Sequence, residues 1–381
     1  MVQRRFWLEL LETAWKRRTV LWFHGVRRAG KTVLCQSLPQ IEYFDCELPS
    51  ARRMMEDPEG FLEGLRGKRV VLDEIHRLSN PAELLKIAAD HYRDVYIIAT
   101  GSSTLGASRR FRDTLTGRKR DIWLTPMCLA DLSDAKSTNL EHRLWRGGLP
   151  PFFLEKAVEE REFQEWLDSY WAKDIQEMFR LERRDSFQKL TEMAIAQSGG
   201  IFEATRFAAA CEVSRPTIAN YLRVLEATFV AHVIRPYSSR KQSEIVSAPK
   251  VYGFDTGFVC AYRGWRELRS EDLGDLWEHF VLNEIMTRMQ SRDVHYWRDK
   301  RGHEIDFVLL ARGGKPTAIE CKWSATGFDA TNLAAFRRQH PLGENVVLAA
   351  DVKTAFQRNY ATLKVRFEPL ELFASSLAKP T

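Results

Sequence analysis

The sequence predicts an α/β protein: a parallel-sheet domain first, then helices, then a second, mixed α/β domain. Three observations carry that expectation. β-Branched and aromatic runs at 19–23, 69–73 and 95–99 alternate with amphipathic stretches such as 81–92, as in a parallel sheet covered on both faces. The first two runs lead into a glycine-rich loop and an acidic pair. Far downstream, 294–297, 304–310 and 317–322 read as further strands behind a helix at 276–289.

Length and composition bound the rest. A chain of 381 residues is too long for one small domain, and two or three are expected. A net charge of +6 favours an acidic partner. The six cysteines (Cys35, Cys46, Cys128, Cys211, Cys260 and Cys321) are scattered, with no C-x-x-C, so buried thiols are expected rather than disulfides or zinc. The N-terminus is charged without a long apolar run, and no stretch reaches the length of a membrane span, which points to a cytoplasmic protein. No internal repeat or low-complexity segment is present.

The chain is organised around Gly25-Val26-Arg27-Arg28-Ala29-Gly30-Lys31-Thr32, which matches the phosphate-cradling P-loop G-x-x-x-x-G-K-[ST]. A strand precedes it and a helix follows, the setting that aims backbone N–H groups at an anion. Gly25 and Gly30 give the loop its backbone freedom. Gly25, Arg28, Ala29, Gly30, Lys31, Thr32 and Val33 are the expected nucleotide-binding residues, with Lys31 on the β- and γ-phosphates and Thr32 on Mg²⁺. The run 69–75 ends in Asp73-Glu74: Asp73 suits the Mg²⁺ shell, and Glu74 is placed to polarise the attacking water. The strand 95–99 leads into Thr100-Gly101-Ser102-Ser103, where Ser102 suits a sensor of the γ-phosphate; an ordinary strand-to-loop turn is the plainer alternative.

These motifs, in this order, resemble an AAA-type ATPase. The chain is more specifically similar to a large prokaryotic family that joins such an ATPase to a C-terminal domain of unknown function. The residues that carry this are the Arg-Arg inside the P-loop, Leu72-Asp-Glu-Ile75, Thr116-Gly-Arg118, Gly147-Gly-Leu-Pro150 and Lys250-Val-Tyr-Gly-Phe-Asp-Thr-Gly257. The resemblance implies ATP and Mg²⁺ as cofactors and a homo-oligomer, a ring being one form it takes. Arg118 stands where the family has its Thr-Gly-Arg, so it is the candidate arginine finger. The surrounding Arg109, Arg110, Arg112, Lys119 and Arg120 read either as a solvated basic loop or as contacts to nucleic-acid phosphates.

The ATPase core is expected over 1–132 and a helical lid or connector over 133–186. One long helix is expected across 152–180, its aromatic stripe serving core packing. In 187–245, a helix at 205–212, a turn capped by Ser214 and a second helix at 215–225 read as a helix-turn-helix and look like a winged helix, with a basic wing at 233–242. Arg215, Thr217, Asn220 and Arg223 would face a DNA groove; a helix pair making protein contacts is the alternative.

The segment 246–381 carries Asp306 on one predicted strand and Glu320-x-Lys322 on the next, with Glu278 on the preceding helix. Residues two apart on a strand share a face, so Glu320 and Lys322 point together and pairing brings Asp306 beside them. Glu278, Asp306 and Glu320 are the candidate metal ligands, with Lys322 beside them. The order resembles the PD-(D/E)xK superfamily of restriction-endonuclease-like folds, although Ile305 stands where Pro is frequent and the loop between the two strands is tight. The expected activity is ATP hydrolysis acting on branched or single-stranded DNA, with metal-dependent cleavage open. The alternative is a nucleotide-dependent switch whose C-terminal module binds and cuts nothing.

Overall fold

In a computed structural model the first expected strand, β1 (Val20–Gly25), is buried at every position. The described residues are 2–101, 109–137, 139–155, 159–179, 181, 183–238, 248–310 and 314–377. They form two compact units: Met1–Thr138, Leu149–Arg184 and Arg223–Val230 make the first, and Asn139–Gly148, Asp185–Leu222 and Ala231–Thr381 the second.

The first unit is built on five parallel strands: β1, β2 (Ile41–Asp45), β3 (Arg69–Asp73), β4 (Tyr96–Thr100) and β5 (Lys119–Leu124), in the order β2-β3-β4-β1-β5. Parallel strands need helical crossovers, which cover both faces. Among the described residues the helices around these strands are α1 (Arg5–Trp15), α2 (Lys31–Gln36), α3 (Pro49–Met54), α4 (Pro58–Glu63), α5 (Pro81–His91), α6 (Arg109–Leu115) and α7 (Leu129–Asp134). The core on one side gathers Trp22, Val70, Leu72, Leu84, Leu85, Ile97 and Phe111. All strands run the same way, so Gly25, Asp45, Asp73 and Thr100 arrive together at their C-terminal ends, where ligands of such sheets bind.

Two expectations differ here. The basic run does not stay a loop: Lys119 and Arg120 open β5, because Ile122, Trp123 and Leu124 need burial beside β1 and pull the polar half into register. The single helix expected across 152–180 is broken. α9 (Pro150–Leu154) stops where Glu155 turns extended, with ψ 142°. α10 (Glu160–Tyr170) then starts with the Glu162 carboxylate accepting the N–H of Glu159 at 3.2 Å. It runs through a π turn at Trp171–Ile175 into α11 (Gln176–Phe179).

The second unit holds one nine-stranded mixed sheet, in the order β13-β14-β12-β11-β10-β9-β7-β8-β6. Its first elements in chain order are α8 (Leu140–Arg146), α12 (Arg184–Ala196), β6 (Gly200–Ile201), α13 (Ala204–Ala210), α14 (Arg215–Ala227), β7 (Ala231–Pro236) and β8 (Lys250–Gly253). α12 and α14 each share residues with the first unit. α15 (Thr256–Tyr262), α16 (Asp272–Met289), β9 (His295–Arg298), β10 (Glu304–Leu310) and β11 (Pro316–Lys322) come next. α17 (Thr331–Gln339), β12 (Asn345–Ala349), β13 (Phe356–Tyr360), β14 (Leu363–Glu368) and α18 (Leu370–Leu377) complete it.

β7 pairs antiparallel with β8 and parallel with β9, so the hairpin and the C-terminal strands share a sheet across the expected boundary at 245. α16 is buried on all sides from Leu276 to Thr287 except at Glu278, which is why its polar residues find partners inside. Two separated family-like motifs meet in this unit. The Asp255 carboxylate accepts the N–H of Gly148 at 2.6 Å and of Gly257 at 2.9 Å. A Cβ on Gly147 would lie 1.9 Å from Asp255 Oδ1, so this position takes only glycine.

Candidate nucleotide site

The loop between β1 and α2 is shaped by residues that tolerate unusual backbone. Gly25 sits at φ 145°, and a Cβ there would lie 2.3 Å from the carbonyl oxygen of Leu124. Arg28 and Gly30 also take positive φ, at 63° and 96°. Val26 and Ala29 are buried and anchor the turn, while Val33 is 44% exposed and lines the cavity that opens over the loop. Lys31 opens α2, and its ammonium donates to the carbonyls of Gly25 (3.0 Å) and Val26 (3.2 Å). Burial pushes the Lys31 ammonium below its ordinary range, against the pull of Glu74, Asp174 and Asp73.

Asp73 ends β3 and is 4% exposed. It accepts hydrogen bonds from the hydroxyls of Thr32 (2.9 Å), Tyr43 and Thr100. Thr32 and Asp73, joined in this way, are a hydroxyl and a carboxylate of the kind Mg²⁺ takes beside a bound phosphate, so the residues present fit that ion. Glu74 follows in the left-handed region (φ 53°, ψ 43°), and its N–H donates to Thr100 Oγ1 at 3.1 Å. His76 Nδ1 lies 3.1 Å from Glu74 Oε2. Burial would raise the Glu74 pKa, but His76 and Lys31 hold the carboxyl below its usual range. A cavity of about 750 Å³ opens over these groups and is lined by Arg4, Arg27, Lys31, Thr32, Asp73, Glu74 and Asp174 among others. That is ample for a nucleotide.

The site also uses residues that the motifs do not name. Arg4 donates to the P-loop carbonyl of Ala29 (2.9 Å) and to Asp131 (2.6 Å), tying the chain before α1 to the loop. The Arg27 guanidinium pairs with Asp174 of the π turn at 3.2 Å, and the Trp166 indole donates to the Arg27 carbonyl at 3.2 Å. A π turn at such a place is a common mark of a functional position. Tyr43, Thr100 and His76 complete the set. Thr100 stood in the strand-end Thr-Gly-Ser-Ser motif, and His76 two places after the acidic pair, whereas no motif pointed to Tyr43.

The remaining expected site residues fall elsewhere. Ser102 lies outside the described residues, and Thr100 is the strand-end hydroxyl that the structure places on Asp73. Arg118 does not line the cavity; its guanidinium pairs with Asp90 at 2.8 Å. On α14, Arg215, Asn220 and Arg223 are exposed and Thr217 is half-buried. Thr217 donates its N–H to Ser214 Oγ at 3.2 Å, the expected cap, and its hydroxyl sits 2.8 Å from the same oxygen. The last part of the expected wing, 239–242, lies outside the described residues.

In the second unit Lys322 Nζ lies 3.0 Å from Glu320 Oε2, and Asp306 accepts the N–H of Cys321 at 2.7 Å. Burial and the neighbouring Glu278 and Glu320 push the Asp306 carboxyl well above its usual range. Glu278 is held instead by Lys250 and the Tyr252 hydroxyl. Glu278, Asp306 and Glu320 are thus neighbours, but among the described residues no group of three or more His, Cys, Asp or Glu side chains is placed to hold a metal ion. The six cysteines are all buried, and none forms a disulfide.

Comparison with known proteins agrees with the geometry of the first unit. Residues 17–133 match the family described as an AAA domain. Residues 137–269 and 273–365 match two domains of unknown function, DUF8612 and DUF4143. The chain is similar to uncharacterized proteins of Mycobacterium bovis and Mycobacterium tuberculosis, each 26% identical over 340 residues, covering 86% of this chain and 75% of theirs. Solved structures that it resembles include the Walker-type ATPase of Pyrococcus abyssi (TM-score 0.46, 15% identity, 69% of this chain and 96% of that one). AMPPCP-bound DnaA of Aquifex aeolicus is a second (TM-score 0.30, 12% identity, 59% of this chain and 88% of that one). P-loop, acidic strand end and AAA-domain match together define a nucleotide-binding AAA-type ATPase. Its C-terminal part carries the DUF4143 domain. Among the described residues no helix is long and apolar enough to cross a membrane.

Proposed function

We propose that this ATPase binds ATP·Mg²⁺ in the cavity over the P-loop and uses its hydrolysis to act on branched or single-stranded DNA. The observation that carries the nucleotide half is the convergence of Lys31, Thr32, Asp73 and Glu74 on one cavity. Lys31 would exchange its two carbonyl partners for phosphate oxygens. Thr32 and Asp73 would hold Mg²⁺, which neutralises charge developing on the phosphates. Glu74, ionised and aimed by His76, is the base that orients water. A homo-oligomer belongs to this reading, with Arg118 serving a neighbouring copy's nucleotide.

What supports the DNA half is the order helix, short strand, two helices and two antiparallel strands from α12 to β8, which is compatible with the expected winged helix, and exposed Arg215, Asn220 and Arg223 on α14. Its test is binding of single-stranded and four-way-junction DNA across a salt series, with and without ATP. The wild type gives a steep slope, and Arg215→Ala with Arg223→Ala reduces it by roughly two units, about one per lost phosphate contact. A slope near zero would remove DNA from the reading.

One observation favours a second reading, a nucleotide-dependent switch whose C-terminal unit binds without cutting. Lys250, which is not part of the Asp306/Glu320/Lys322 pattern, already pairs with Glu278 and Glu304.

A further inference from the structure

The carboxylate face of the second unit is crowded with charge. Glu278 comes from α16, Glu304 and Asp306 from β10, and Glu320 from β11. A divalent cation needs several carboxylate oxygens with free lone pairs directed at one point. Here Asp306 spends one oxygen on the N–H of Cys321, and Glu320 gives one to Lys322. Glu278 accepts from both Lys250 (3.1 Å) and Tyr252. The residues present do not fit the metal that the resemblance to nucleases would imply.

Lys250 explains why. It stands on β8, a strand from outside the stretch that carries the acids, and β8 enters the sheet by pairing with β7. Its side chain is 5% exposed, and its ammonium lies 2.6 Å from Glu304 and 3.1 Å from Glu278. Tyr252, two residues on and so on the same face of β8, reaches the same Glu278 oxygen. One oxygen of the buried Glu320, Oε1, has no hydrogen-bond partner. A buried ammonium bonded by two carboxylates is costly to remove, and it occupies the Glu278 and Glu304 oxygens that a divalent ion would need.

We infer that Lys250 is the resident cation of this face, that it bars divalent metal from Glu278, Glu304, Asp306 and Glu320, and that the face is an ionic latch rather than a cleavage centre. The inference deepens the switch reading, and its test uses no nucleotide, so its failure is distinct from failure of the ATPase reading. Removing the ammonium frees Glu278 and Glu304 beside the unpartnered Glu320 oxygen, which is the donor set that a divalent ion would take.

The experiment titrates Mn²⁺ into the full chain without nucleotide, followed by calorimetry and by the Mn²⁺ paramagnetic resonance signal. Asp73→Asn is carried throughout to silence the nucleotide site. The Asp73→Asn chain should bind no Mn²⁺ that a further Glu320→Gln abolishes. Adding Lys250→Met should create one site per chain, lost again with Glu320→Gln, whereas Lys250→Arg should create none. DNA incubated with the chain and Mn²⁺ should stay intact. A Glu320-dependent Mn²⁺ site in the Asp73→Asn chain, or Glu320-dependent cleavage, would overturn the inference. So would a folded Lys250→Met chain, judged by circular dichroism, that gains no site. Where Lys250→Met does not fold, the Glu320→Gln comparison decides alone.

Discussion

His76 Nδ1 lies 3.1 Å from Glu74 Oε2, and the imidazole holds in place a carboxylate whose backbone already sits in the left-handed region. Two links are joined here: a strained residue at a strand end and a neighbour that makes its side chain directional. His76→Ala should lower kcat by about 10- to 100-fold, part of the roughly 10²–10⁴-fold that a general base contributes, because Glu74 itself remains, with KM for ATP unchanged. The pH profile carries a further signature. The hydrogen bond from His76 is the first of the effects holding the Glu74 pKa down against burial, so without it the carboxyl titrates higher. The acid limb of the rate should therefore move to higher pH in His76→Ala. An unmoved limb would show that His76 does not act on Glu74.

Asp174 holds the Arg27 guanidinium at 3.2 Å and lines the cavity where phosphates would lie. A carboxylate there repels the nucleotide and occupies a cation that would otherwise attract it. Asp174→Asn should tighten ATP binding by about fivefold, roughly 1 kcal/mol, measured by fluorescent-nucleotide titration. Weaker binding would mean that Asp174 positions the P-loop rather than restraining it.

Arg4 and Asp131 form a buried pair at 2.6 Å, with side chains 6% and 0% exposed. Burial would raise the Asp131 pKa, but Arg4, the amide of Cys128 and the Trp7 indole together hold it below the ordinary value. Such a group stabilises the fold above its unfolded pKa of about 3.9, and the contribution is lost as pH falls through the lower folded value. Arg4→Met leaves Asp131 buried and unpaired, a change expected to cost about 3–5 kcal/mol at pH 7. The melting temperatures of variant and wild type should converge as the pH is lowered below 4, and a constant gap across that range would contradict this.

Much of the first unit was legible because its chemistry is local. Gly25 to Thr32 and Asp73-Glu74 are consecutive residues at strand ends, and the apolar runs before them fixed the strands. What was not legible is what the fold brings from a distance. Arg4 is 25 residues from Ala29, and Asp174 is 147 from Arg27, so no local pattern joins them. β5 was hidden because its first half is Lys-Arg-Asp, polar residues drawn into register by Ile122 to Leu124. In the second unit, the acids of the Asp306 and Glu320 strands were readable from alternation. Lys250 was not, because its strand reaches the same sheet only through the hairpin with β7.

The central claim is a Lys31-dependent ATPase whose turnover responds to DNA. The direct measurement is phosphate release by the purified chain and by Lys31→Ala, with single-stranded DNA, with a four-way junction and with neither. The prediction is hydrolysis by the wild type, stimulation by at least one DNA form, and loss of both in Lys31→Ala. Hydrolysis that survives Lys31→Ala would contradict the site, and a Lys31-dependent rate that no DNA changes would contradict the DNA reading and leave the switch.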